Sequence, residues 1–191
     1  MQPRPPVTRR GPGRMQTRAE PVRRSLLVLP FAVTACQGSG GPRLDAADSE
    51  FVRQSAVAGA SMVALGQLAA RQSVSPAVRQ FAQRVVAEHM MVDRELTAIA
   101  SRRGVSPPIA FERECAEAWR ELSSYAGATF DQRYLARQVQ VHELQRALFR
   151  NQGREGTDVE LRAFAAKYLP VVEAHARMAR ALLDSVADPA Q

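Results

Sequence analysis

The sequence predicts an all-α protein, a four-helix bundle with a long crossover between its second and third helices. Three observations carry this. Four long stretches place apolar residues three and four apart, the spacing of a helix with one buried stripe. The connection from Gly104 to Thr129 is far longer than the other two links between these stretches. Finally, VRQFA at 78–82 returns as LRAFA at 161–165, each time opening the second helix of a hairpin.

The chain has 191 residues, enough for one domain with appendages. Its net charge of +7 suggests a nucleic-acid binder, but the charge is unevenly placed. Residues 1–36 hold seven Arg and one acid, Glu20; from Gln37 onward there are 19 basic and 18 acidic residues. A nucleic-acid partner needs a basic face on the folded part, and none is predicted.

Residues 1–36 read as a leader. Arg23 and Arg24 precede SLLVLPFAVTA, an apolar run too short to span a bilayer core of roughly 30 Å. Val33-Thr34-Ala35-Cys36 resembles a bacterial lipobox, which implies lipidation of Cys36 and a membrane partner through that lipid. Met15 offers an alternative start, and RRSLL at 23–27 resembles a twin-arginine export signal. Gln37 resembles the residue found in outer-membrane sorting, so the expected location is the cell envelope, at the periplasmic face of the outer membrane. With Cys36 acylated, Cys115 is the remaining thiol, expected to be inert, and no intramolecular disulfide can form.

Residues 37–48 read as a flexible tether, 49–186 as the helical domain, and 187–191 as a tail. Asp48 or Ser49 is the expected cap of a first helix reaching about Gln72, with Phe51, Ala58, Met62, Leu65 and Ala69 inward. Its Ala and Gly residues let a neighbouring helix come close. Ser75 and Pro76 start the second helix and Gly104 stops it; Phe81, Val85, His89, Val92, Leu96 and Ile99 form its stripe. A short polar helix around Arg113–Ser123 carries Trp119 within the crossover. The third long helix is expected from Asp131 to about Asn151, with Tyr134, Leu135, Val139, His142 and Phe149 inward. NQGREGT then reads as a loop. The fourth helix starts at Asp158, with Leu161, Phe164, Tyr168, Val171, His175, Met178 and Leu182 inward, and Pro170 removes one of its backbone hydrogen bonds. Two similar hairpins joined by a long crossover describe a ferritin-like bundle.

Several blocks in order, FVRQSAVAGASMVALGQLA, SPAVRQFAQRVVAEH, FDQRYL with VHE, and ELRAFAAKYLPVVEAH, resemble the bacterial family known as domain of unknown function 4142. The resemblance covers about Ser49 to Ser185. It implies a ferritin-like fold and a place among putative outer membrane proteins, with no established activity. It also implies a carboxylate where this chain has Met62.

A di-iron site would need Glu-x-x-His on two helices, yet Val86, Val139 and Val172 stand three before the histidines. Di-iron is therefore disfavoured. Ser-His-Asp order, glycine-rich phosphate loops and CxxC are missing as well. The three histidines of the chain all lie on inward stripes. Counted from one end of the bundle, His89, His142 and His175 fall at roughly 20, 17 and 17 Å along the axis, within about one turn. Met62 counts to nearly the same layer, and Met178 to one turn away. Met90 and Met91 point away from His89, while Asp93, Gln138 and Gln145 are placed to orient imidazoles. Three imidazoles at one level suit copper or zinc, although hydrogen-bonded core histidines are the plain alternative. The sequence thus supports an envelope lipoprotein with a binding or structural role, a metal-binding protein using a three-His layer, or, as a second alternative, an oxidoreductase. Protein partners are unknown at this stage.

Overall fold

The computed structural model describes residues 43–107 and 113–187. The leader, Cys36, the first half of the tether and the residues after Ala187 lie outside the described residues. Five helices follow in order: α1 (Ala46–Gln72), α2 (Pro76–Arg102), α3 (Arg113–Ser123), α4 (Gly127–Glu155) and α5 (Val159–Ala187). Among the described residues there is no strand. The four long helices are those the sequence predicts, and α3 is the short crossover helix.

The ends of α2 are as expected. The Ser75 hydroxyl accepts from the Val78 N–H, with Pro76 in the first turn. At the other end Gly104 takes φ 70°, and the N–H of Val105 reaches back to the Ala100 carbonyl at 3.0 Å. That is a Schellman stop, and it needs a residue without Cβ strain at Gly104.

Other ends differ from expectation. α1 starts at Ala46, inside the expected tether, and its cap is Asp45, which accepts from the Asp48 N–H at 2.8 Å. Asp48 is instead fully buried between helices. Its carboxylate accepts from Gln152 Nε2 at 2.6 Å, Thr157 Oγ1 at 2.7 Å and the Asp158 N–H at 2.7 Å. α4 runs longer than Asp131–Asn151 at both ends. Gly127, at φ 60°, turns the chain directly into the helix. Gly153 stays helical, because the buried Gln152 beside it is held by Asp48, so the loop shrinks to Gly156–Asp158. In α5, Pro170 is exposed and the helix continues through it, since its missing N–H falls on the solvent side.

The two hairpins repeat each other closely at their caps. Asp48 near the start of α1 accepts the N–H of Asp158, which caps α5. At the same sequence offset, Asp131 of α4 accepts the N–H of Ser75, which caps α2, at 3.0 Å. Likewise the Arg79 guanidinium donates to the Ser73 carbonyl at 2.7 Å, and that of Arg162 to the Gly156 carbonyl at 3.0 Å. Each hairpin is therefore locked at its turn by an aspartate of the other.

α2 and α4 rise in the same direction, for Phe81 faces Tyr134 and, further along, His89 faces His142. The α2–α4 connection therefore crosses the bundle, with α3 packed on α1 and α4 through Cys115, Trp119 and Leu122. Glycine admits α2 against α1. A Cβ on Gly59 would collide with Asp93 Oδ1, and one on Gly66 would sit 2.7 Å from Val86 Cγ2. The core divides into two apolar clusters. One gathers Leu65, Phe81, Phe130 and Tyr134, the other Phe51, Leu96, Phe149 and Phe164. Between them lies a buried polar layer, and the histidines belong to it.

Candidate metal centre

His89 comes from α2, His142 from α4 and His175 from α5, each at most 2% exposed. Each occupies a position on its helix where the neighbouring turns present Val: Val85 and Val92, Val139, and Val172. The stripe that buries Val therefore buries the rings. Their centroids lie 5.5 Å (His89–His142), 5.5 Å (His89–His175) and 5.1 Å (His142–His175) apart. One nitrogen from each ring can be chosen so that all lie within 4.8 Å of one another. The convergence expected from counting residues is thus found.

The electronic state of the rings follows from their surroundings. His142 Nδ1 is 2.8 Å from the Gln138 backbone carbonyl, so it is the protonated nitrogen that donates there. That leaves the lone pair of His142 Nε2 facing His89 Nε2 at 3.3 Å. Burial pushes His89 well below the usual imidazole range, and its two ring neighbours add to this. Burial, then His175, lowers His142 to about 4. His175 is also lowered by burial, although the nearby Glu88 carboxylate works the other way. All three rings are neutral at neutral pH and offer lone pairs.

Two ligands on one tetrahedral ion, with bonds of about 2.0 Å, stand roughly 3.3 Å apart. The His89–His142 nitrogen pair already meets that spacing. The widest pair, within 4.8 Å, has to close further to share the ion. Nitrogen donors with no carboxylate at Val86, Val139 or Val172 suit zinc or copper rather than a carboxylate-bridged iron pair. Among the described residues this is the one group of three or more His, Cys, Asp or Glu placed to hold an ion.

The flanking residues sort differently from expectation. It is the backbone of Gln138, not its side chain, that orients His142; both side-chain polar atoms of Gln138 are buried without a partner. Asp93 does not reach His89. Its carboxylate lies against Gly59 with Oδ1 unpaired, and burial raises it to about 7. Gln145 is buried with Oε1 unpaired. Met62 is buried in the first apolar cluster. Met178 is partly buried and packed against that same cluster, its Sδ 3.9 Å from Arg84 Nη1, and Met90 and Met91 are exposed. Cys115 is a buried free thiol.

Glu88 was not legible from spacing. Its Oε2 lies 2.8 Å from His175 Nε2, and its Oε1 accepts from Arg84 Nε at 2.9 Å. A residue directly before a core histidine points about 100° away from it on the same helix. The contact is with the next helix instead, which a single-helix pattern does not reveal.

The family described as domain of unknown function (DUF4142) has a sequence model that matches residues 34–182. No curated protein matches the chain. Among solved structures, a crystal structure of a DUF305 fragment from Deinococcus radiodurans is similar in fold. The TM-score is 0.66 at 16% identity, over 75% of this chain and 99% of that one. At that identity the likeness concerns the bundle alone.

Proposed function

The chain belongs to the DUF4142 family, and for it we propose a binding role in which His89, His142 and His175 hold one zinc or copper ion. The observation that carries the reading is the meeting of three neutral imidazoles, from three helices, with nitrogens within 4.8 Å. Burying three such rings costs polar desolvation that Val or Leu would avoid. Mutual hydrogen bonding offsets little of it, because His89 Nδ1 and both nitrogens of His175 have no aligned partner. Five grooves among the described residues are lined by side chains other than the three histidines; the reading of a binding role rests on the buried ring cluster itself.

The ferritin-like kinship is part of this proposal, supported by the paired hairpins and the parallel run of α2 and α4. So is the setting. Cys36 carries a lipid that anchors the protein at the periplasmic face of the outer membrane, and the near-neutral charge beyond the leader leaves no nucleic-acid face. Among the described residues no helix is long and apolar enough to cross a membrane. Feeding cells a fatty-acid probe should label the wild type and spare Cys36→Ala; an unlabelled wild type refutes the anchor.

The metal reading is tested by elemental analysis and calorimetric titration of the metal-free protein with zinc and copper, beside the triple His→Ala variant. One ion per wild-type chain and none in the variant is expected. Equal uptake by both, or none by either, contradicts the reading.

A further inference from the structure

We propose that Glu88 is the fourth ligand of the histidine site when the ion is divalent, strengthening the hold on a divalent cation and leaving that on a monovalent one unchanged. The inference rests on the reading of the three imidazoles as ligands and adds the residue that sets the charge. Glu88 Oε2 stands 2.8 Å from His175 Nε2, close enough to act on the ring as a charged partner, but the ring nitrogen has no aligned hydrogen-bond partner. A carboxylate that merely orients a histidine accepts along the N–H axis. Two ligands of one ion behave differently. Each aims a lone pair at a third point, so they sit side by side at roughly 3.3 Å without aiming at each other. The His89–His142 pair, at 3.3 Å, has that spacing, and the Glu88–His175 pair, at 2.8 Å, opens by about 0.5 Å to reach it.

Charge gives a second argument. Three neutral imidazoles leave a buried divalent ion with its full charge in a medium of low dielectric, which is costly. One carboxylate halves that charge. Glu88 is the carboxylate in contact with the trio, and its side chain is 24% exposed, so it stands at the boundary between the buried rings and solvent. Its other oxygen stays with Arg84, which is more than half exposed and borders a groove between α2 and α5 that Met178 also lines. Arg84 thus holds the carboxylate in place from outside while Oε2 remains free to turn from the ring to the ion.

The test compares wild type, E88Q and the triple His→Ala variant, each as the metal-free full chain, titrated with zinc and with cobalt(II). E88Q is expected to lose about tenfold or more in zinc affinity and to shift and weaken the visible bands of tetrahedral cobalt. Affinity for copper(I), measured by competition with a chromophoric chelator under reducing conditions, should stay within about twofold, because a monovalent ion needs no carboxylate in a three-nitrogen site. If E88Q binds zinc like wild type, or gives unaltered cobalt bands, while the triple variant binds neither, Glu88 is no ligand and the three-histidine reading survives. If wild type binds no ion at all, that reading fails and takes Glu88 with it.

Discussion

The two hairpins are alike at their turns and unlike at their centres. Asp48 and Asp131, Ser73 and Gly156, Ser75 and Asp158, and Arg79 and Arg162 occupy matching places and make matching bonds. At the same offset, His89 corresponds to Val172, Val92 to His175, Gly59 to His142 and Met62 to Gln145. No histidine has a histidine as its counterpart. What the repeat shares is what a helical hairpin needs in order to close: a capped start, a satisfied turn carbonyl and a clamp from the other half. What it does not share is the polar layer between two apolar clusters. Packing alone would fill both centres with Val and Leu, so the asymmetry points to a requirement other than stability.

The largest expected effect sharpens the comparison at the ends. Asp48→Ala leaves Gln152 and the Asp158 N–H without their acceptor, Thr157 keeping Asp45, and should cost about 3 kcal/mol; Asp131→Ala, which loses one backbone bond, should cost about 1 kcal/mol. Denaturant unfolding of both variants measures this, and equal losses would mean that the clamps are as symmetric in strength as in position.

A smaller effect separates ends from centre by pH in metal-free protein. Asp48 is held below the usual carboxylate range: burial works against this, but the bonds from Gln152, Thr157 and Asp158 outweigh it. A depressed carboxylate stabilises above its unfolded value of about 3.9, and that contribution fades as pH falls below it. The buried histidines are also depressed, His142 to about 4. Their neutral state favours folding above the unfolded value of about 6.5, and that contribution fades as pH falls from there toward 4. Asp93, raised to about 7 by burial, adds stability as pH falls over that same range and offsets part of the histidine loss; the net drop is expected in two stages, a shallower one from the centre first. His175→Leu should be about 1 kcal/mol more stable at neutral pH, having lost a buried polar ring, and should soften the first stage while leaving the second. Thermal melts from pH 7 to 3 report both; an unchanged first stage would show that His175 does not titrate with the centre.

The sequence made the regular parts legible and the inter-helix parts less so. Ser75, Pro76 and Gly104 announce α2 because caps and stops act within one turn. The helical extension through Gly153 escapes local reading, since it depends on Gln152 meeting Asp48 from a distant helix. Asp48 reads as a cap because only the fold brings the α5 N-terminus to it. The histidine layer could be counted, because rise per residue is fixed along a helix. Glu88 could not, because its partner lies on α5 and the angle between α2 and α5 decides the contact.

The central claim is that one ion is shared by three imidazoles at the asymmetric centre. Crystals grown or soaked with zinc, with anomalous diffraction recorded on either side of the zinc absorption edge, test it most directly. The account predicts one strong anomalous peak per chain, about 2 Å from a nitrogen of each of His89, His142 and His175. Zinc found only on surface carboxylates, with the three rings undisturbed and no peak between them, would contradict it.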